Sequence, residues 1–225
     1  MLDGRWRTKA EEGLAPIGRA LHTAGVSANF LTILGLAASI VTAGLIANGN
    51  LLLAVFGVIL SGLPDILDGS VARHSGTAGN RGAFFDSVSD RVADAALLGG
   101  VAWHLTAESA ELPVLALAVV ALSMLVSYER AKADALGFSA RGGLIERFER
   151  LVLLGIGLAF DVLVPVLWIM LVLTAITAVH RFVMVWRQST PPAGATTPGR
   201  MRTRLVRSHR ARRTQPRLSR VPGRR

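Results

Sequence analysis

Apolar stretches of about twenty residues recur along the chain, separated by short polar breaks. Each is long enough to cross the ~30 Å of hydrocarbon in a bilayer as a helix. The pattern predicts six membrane helices, at 29–48, 51–73, 82–106, 112–135, 144–160 and 162–186. Asn48-Gly49-Asn50, the run from Glu108 to Pro113, and Asp161 with Pro165 supply turn signals between them. The fifth stretch is uninterruptedly apolar only over 151–160. Ahead of the first, residues 3–24 set Trp6, Leu14, Ile17 and Leu21 among Arg5, Arg7, Lys9 and Arg19, the pattern of a helix lying in the membrane interface. The expected fold class is an all-α integral membrane protein, with six transmembrane helices behind an N-terminal interfacial amphipathic helix. The membrane domain is expected over 1–187.

Composition agrees. Of 225 residues 51% are hydrophobic, and the mean hydropathy is +0.46, which argues against a soluble domain. There is no cysteine and so no disulfide framework. The net charge of +10 is misleading when taken whole, because eleven arginines lie between Arg200 and Arg225 with no acid among them. Without that tail, 14 basic residues face 15 acidic ones. Residues 188–225 are expected to be a disordered, Arg-rich cytoplasmic tail, drawn to anionic lipid head groups rather than to nucleic acid. The connections after the first, third and fifth stretches carry no Lys or Arg, whereas those after the second and fourth carry Arg81 and Arg141. Arg73, Arg130, Lys132, Arg147 and Arg150 flank the same side. By the positive-inside rule this places those loops and both termini in the cytoplasm, in a multi-pass protein of the cell membrane.

The second and third stretches carry an unusual load of carboxylates. Asp65, Asp68, Asp86 and Asp90 fall within 26 residues. Aspartate inside a span is costly unless it is paired, metal-bound or facing water. Asp65 and Asp68 are three apart and Asp86 and Asp90 four apart, so each pair shares a helix face. Two antiparallel helices joined by a short cytoplasmic loop bring the faces together. Oxygen-only donors favour hard cations such as Mg²⁺ or Mn²⁺. A pair of such ions suits phosphoryl transfer, with one at the attacking oxygen and one at the leaving oxygen. Gly69, Ala72 and Gly82 leave room for a bulky group, and the planar fork of Arg73 suits a phosphate.

Together Asp65, Asp68, Gly69, Ala72, Arg73, Gly82, Asp86 and Asp90 stand at the spacing of the CDP-alcohol phosphotransferase signature, and the chain resembles that family.

 The resemblance implies that Asp65, Asp68, Asp86 and Asp90 hold two Mg²⁺ or Mn²⁺ ions, and that Asp90 is also the candidate general base. It further implies a CDP site formed by Gly69, Ala72, Arg73 and Gly82, with Asn29 and Thr32 at the start of the first helix. The reaction it implies is attack by an alcohol on the CDP-linked phosphorus, with release of CMP. A homodimer is the family expectation.

The second half narrows the alcohol. Cations gather at the cytoplasmic ends of the later helices, where they suit an anionic acceptor such as a phosphorylated polyol. The stretch from Ser127-Tyr128 to Leu151 is similar to the actinobacterial phosphatidylinositol-phosphate synthases of the family. That likeness implies an inositol-phosphate pocket lined by Ser127, Arg130, Arg150 and Arg181. Arg130 stands where those enzymes usually have lysine, Phe148 where they have proline, and Pro64 before the first aspartate is atypical. Glycerol 3-phosphate is the alternative acceptor. A phosphorylated acceptor implies that the lipid is on the nucleotide, hence CDP-diacylglycerol as donor. Asp94 prolongs the acidic face and is expected to pair with Arg91 or another basic group. Gly35, Gly44, Gly57, Gly99 and Gly100 are expected at helix contacts. A cation transporter would also carry intramembrane aspartates, but here all four lie near one membrane face. Prenyl transfer uses aspartate pairs too, without needing the interspersed Gly, Ala and Arg.

Overall fold

The computed structural model describes residues 27–75 and 79–190, with side chains described except over 64–75. The expected interfacial helix at 3–24 lies outside the described residues, as does the tail beyond 190. The chain divides into two units, Met1–Arg187 and Gln188–Arg225, and every candidate site residue lies in the first.

Six helices follow in order among the described residues: α1 (Ala28–Ala47), α2 (Leu51–Ser75), α3 (Asn80–Leu105), α4 (Leu112–Leu136), α5 (Arg147–Ala159) and α6 (Leu163–Ser189). Local chemistry sets their ends. Ser27 caps α1, its hydroxyl accepting from the Phe30 amide at 3.2 Å. Gly49, at φ +76°, makes the turn into α2. Pro113 sits in the first turn of α4, and Gly137 ends that helix in the left-handed conformation. A capping box of Glu146 and Glu149 opens α5.

Among the described residues, three helices are long and apolar enough to cross a membrane: α1, α4 and α6. On α2 the run Leu51–Leu63 is apolar, and the carboxylates of α3 dilute its hydropathy. At 13 residues, α5 spans only about 20 Å. It begins at Arg147 rather than 144, because Leu144 and Ile145 are held outside the helix. Their amides donate to Thr177 Oγ1 on α6, at 3.1 and 3.3 Å.

Helix α1 packs against α2 and α3, α3 against α4, and α2 against α5. The core is built from Ile46, Leu97, Val101, Leu105, Val119, Leu167 and Met170. Gly100 brings α3 onto the backbone of α1: a Cβ there would stand 2.5 Å from the Ala43 carbonyl oxygen. Gly57 meets the Thr42 side chain in the same way on α2. Gly44 and Gly99, expected at contacts, have open space at the Cβ position. The interior also holds hydroxyls. Ser39, Thr42 and Thr174 are buried and donate to the carbonyl four residues back. Phe30, Val41, Phe56, Trp103, Trp168 and Trp186 point outward and are exposed. Apolar groups outside and paired hydroxyls inside suit a hydrocarbon surround.

Candidate functional site

Helix α3 carries Asp86, Asp90 and Asp94 at four-residue spacing, so all three share one face. Asp86 and Asp90 are half-buried, while Asp94 is buried, 8% exposed. Asp65, Asp68, Gly69, Ala72 and Arg73 lie on α2, among the side chains outside the description. Among the described residues, no group of three or more His, Cys, Asp or Glu converges. The described carboxylates Asp86 and Asp90, one turn apart, offer oxygen donors alone, which fits a hard divalent cation.

From α1, Thr32 lines a small cavity together with Gly35, Leu36, Ser61, Ser89, Asp90, Ala93 and Arg147. Its hydroxyl donates to the Ala28 carbonyl at 3.2 Å. Asn29 faces α3 beside Gly82, where a Cβ would lie 3.5 Å from the Asn29 amide oxygen. The structure thus brings Asn29 to Gly82, and Thr32 into one cavity with Asp90. Gly35, expected at a helix contact, is buried on α1 and also lines this cavity.

Two arginines of α5 close the acidic face. They are three residues apart, so the capping box that starts the helix sets both on one side. Arg147 Nη1 stands 2.8 Å from Asp90 Oδ1, and its Nε donates to Asp94 Oδ1 at 3.2 Å. Arg150 Nη2 donates to Asp94 Oδ2 at 2.6 Å. Arg91, the expected partner named for Asp94, instead donates to the Ser87 carbonyl at 2.7 Å and stands 3.5 Å from Asp90. The link from Arg147 to Asp90 was missed in the sequence. The one available signal was spacing, two arginines three apart matching two aspartates four apart.

Arg181 on α6 is 3% exposed. Its Nε donates to the Gly142 carbonyl at 2.9 Å, its Nη1 to the Val126 carbonyl at 3.1 Å, and its Nη2 to Glu146 at 3.0 Å. It therefore joins α4, the 138–146 segment and the cap of α5. Arg130 and Arg150 are close enough to repel it, and Glu129 to attract it. Ser127 is half-buried on α4, and Arg130 is exposed. Of the four expected acceptor residues, then, Arg150 and Arg181 are buried and paired with acids.

Comparison with known proteins gives a consistent result. The family model for CDP-alcohol phosphatidyltransferase matches residues 25–186. A phosphatidylinositol phosphate synthase of Mycobacteroides abscessus is 36% identical over 176 residues, covering 74% of this chain and 80% of the relative. The synthase of Streptomyces avermitilis is 34% identical, covering 81% and 82%. Among solved structures, the Mycobacterium tuberculosis phosphatidylinositol phosphate synthase with CDP-DAG bound superimposes with a TM-score of 0.72 at 32% identity, covering 81% of this chain and 97% of that one. The same enzyme in complex with manganese and citrate gives 0.71. With the family model matching residues 25–186 and relatives at 34–36% identity covering most of the chain, this protein belongs to the CDP-alcohol phosphatidyltransferase family.

Proposed function

We propose that this protein transfers the phosphatidyl group of CDP-diacylglycerol to a hydroxyl of inositol phosphate, releasing CMP, in phospholipid synthesis. The observation that carries the reading is the pair of α5 arginines held against Asp90 and Asp94, beside the cavity that Thr32 shares with Asp90. Relatives at 33–36% identity bearing the synthase name support the acceptor. A neighbour with CDP-DAG bound supports the donor.

In this reading Asp65, Asp68, Asp86 and Asp90 hold two divalent ions, Mg²⁺ or Mn²⁺. When bound, such ions neutralise charge on the pyrophosphate oxygens. Asn29, Thr32, Gly69, Ala72, Arg73 and Gly82 seat the nucleotide. Ser127, Arg130, Arg150 and Arg181 bind the acceptor, their positive charge set against its phosphate. Asp90 accepts the proton of the acceptor hydroxyl as its oxygen bonds to the lipid-bearing phosphorus. The bond from that phosphorus to the CMP oxygen breaks, and CMP leaves. The same reading gives six membrane spans, a cell-membrane location with the site and both termini cytoplasmic, and a homodimer.

The test is CMP release by purified protein with Mn²⁺ or Mg²⁺ and CDP-diacylglycerol. Inositol 3-phosphate, glycerol 3-phosphate, free inositol and serine are supplied separately. Release with inositol 3-phosphate alone, lost in Asp90→Asn, is the expected result. Release only with another alcohol would overturn the acceptor. Cation flux with no CMP would overturn the enzyme.

A further inference from the structure

Asp94 lies one turn beyond the last aspartate of the motif and is more buried than either Asp86 or Asp90. A carboxylate in that setting is costly unless its oxygens are taken. Here they are taken by two different arginines: Oδ2 by Arg150 at 2.6 Å and Oδ1 by Arg147 at 3.2 Å. Arg147 continues to Asp90 at 2.8 Å. The result is an alternating chain, Arg150 to Asp94 to Arg147 to Asp90. It runs from beside Leu97, Leu151 and Met170 to the cavity lined by Thr32 and Ser89. A guanidinium is planar, so fixing one edge fixes where its other N–H groups point. Two guanidinium groups face the two carboxylates of Asp94 and Asp90, so charge is balanced along the chain, and what Asp94 fixes is the orientation of the two planes.

We infer that Asp94 is a positioning residue, which sets Arg147 and Arg150 for a phosphorylated acceptor. It acts through those arginines and contacts no reacting atom. This inference rests on the function proposed above.

The experiment compares wild type, Asp94→Asn, Arg150→Gln and the double variant, with CDP-diacylglycerol and Mn²⁺. Inositol 3-phosphate and glycerol 3-phosphate are run side by side. Asp94→Asn is expected to raise the acceptor KM at least about tenfold, with kcat and the donor KM within about threefold. The double variant should fall short of the product of the two single effects, because both changes act in part on one path. A fall in kcat with unchanged acceptor KM, or effects that multiply in the double variant, would overturn the inference. Asp94→Asn leaves a buried arginine short of its partner, which can prevent folding. The double variant removes both charges, and Asp94→Glu keeps the acid, so these two then carry the comparison. Glutamate should restore the acceptor KM to within about threefold of wild type; a KM no better than that of the double variant would count against positioning. Wild type active only with glycerol 3-phosphate would overturn the acceptor identity, and the KM comparison would then be read on that acceptor. Wild type inactive with both would overturn the functional reading, and this inference with it.

Discussion

Arg147 touches two carboxylates through two different nitrogens, Nη1 on Asp90 and Nε on Asp94. A lysine has one ammonium and cannot copy that span. Losing one charge-assisted bond costs roughly 1.5–3 kcal/mol, so Arg147→Lys should lower kcat/KM for the acceptor about ten- to a hundredfold. CMP release at low acceptor concentration measures it, and an unchanged kcat/KM would count against the contact. Asp90→Asn should reduce turnover by about 10²–10⁴-fold while CDP-diacylglycerol still binds. Asp86 and Asp90 could be placed on one face from their spacing alone. Their partner could not. Periodicity tells which side of its own helix a residue occupies, but not which later helix arrives there, and Arg147 lies 57 positions after Asp90.

At the scale of elements, the turn at Gly49 was legible because its chemistry is local. The start of α5 was not, since Leu144 and Ile145 look helical by hydropathy and are drawn off by a hydroxyl on α6. Likewise, nothing in the sequence separated Gly100 from Gly99. The structure gives them opposite consequences. Gly100→Ala forces a methyl against the Ala43 backbone and should cost about 1–3 kcal/mol. Gly99→Ala meets open space and should stay within about 0.5 kcal/mol of wild type. Thermal unfolding in detergent distinguishes them, and equal melting temperatures would refute the close approach of α1 and α3.

For the whole molecule, the absence of cysteine makes orientation directly measurable. A single cysteine at Asn50 should react with an impermeant maleimide from outside the cell, and one at Arg141 only after the membrane is opened. Labelling of both from one side would overturn the six-span topology. Among the described residues three helices qualify as spans by length and composition; the charged residues of α3 and the brevity of α5 hold those two below that measure.

The hydroxyl of Thr177 has a mechanical consequence. It receives the Leu144 and Ile145 amides and donates to the Leu173 carbonyl at 2.8 Å. One turn on, Arg181 holds Gly142 and Glu146. The approach to α5 is thus tied to α6 at two points. A long helix tilts to match the thickness of its bilayer. Tilting α6 would carry both tethers, and with them the first turn of α5, where Arg147 and Arg150 begin. Turnover should therefore respond to the acyl-chain length of the host membrane, with Thr177→Val loosening that response.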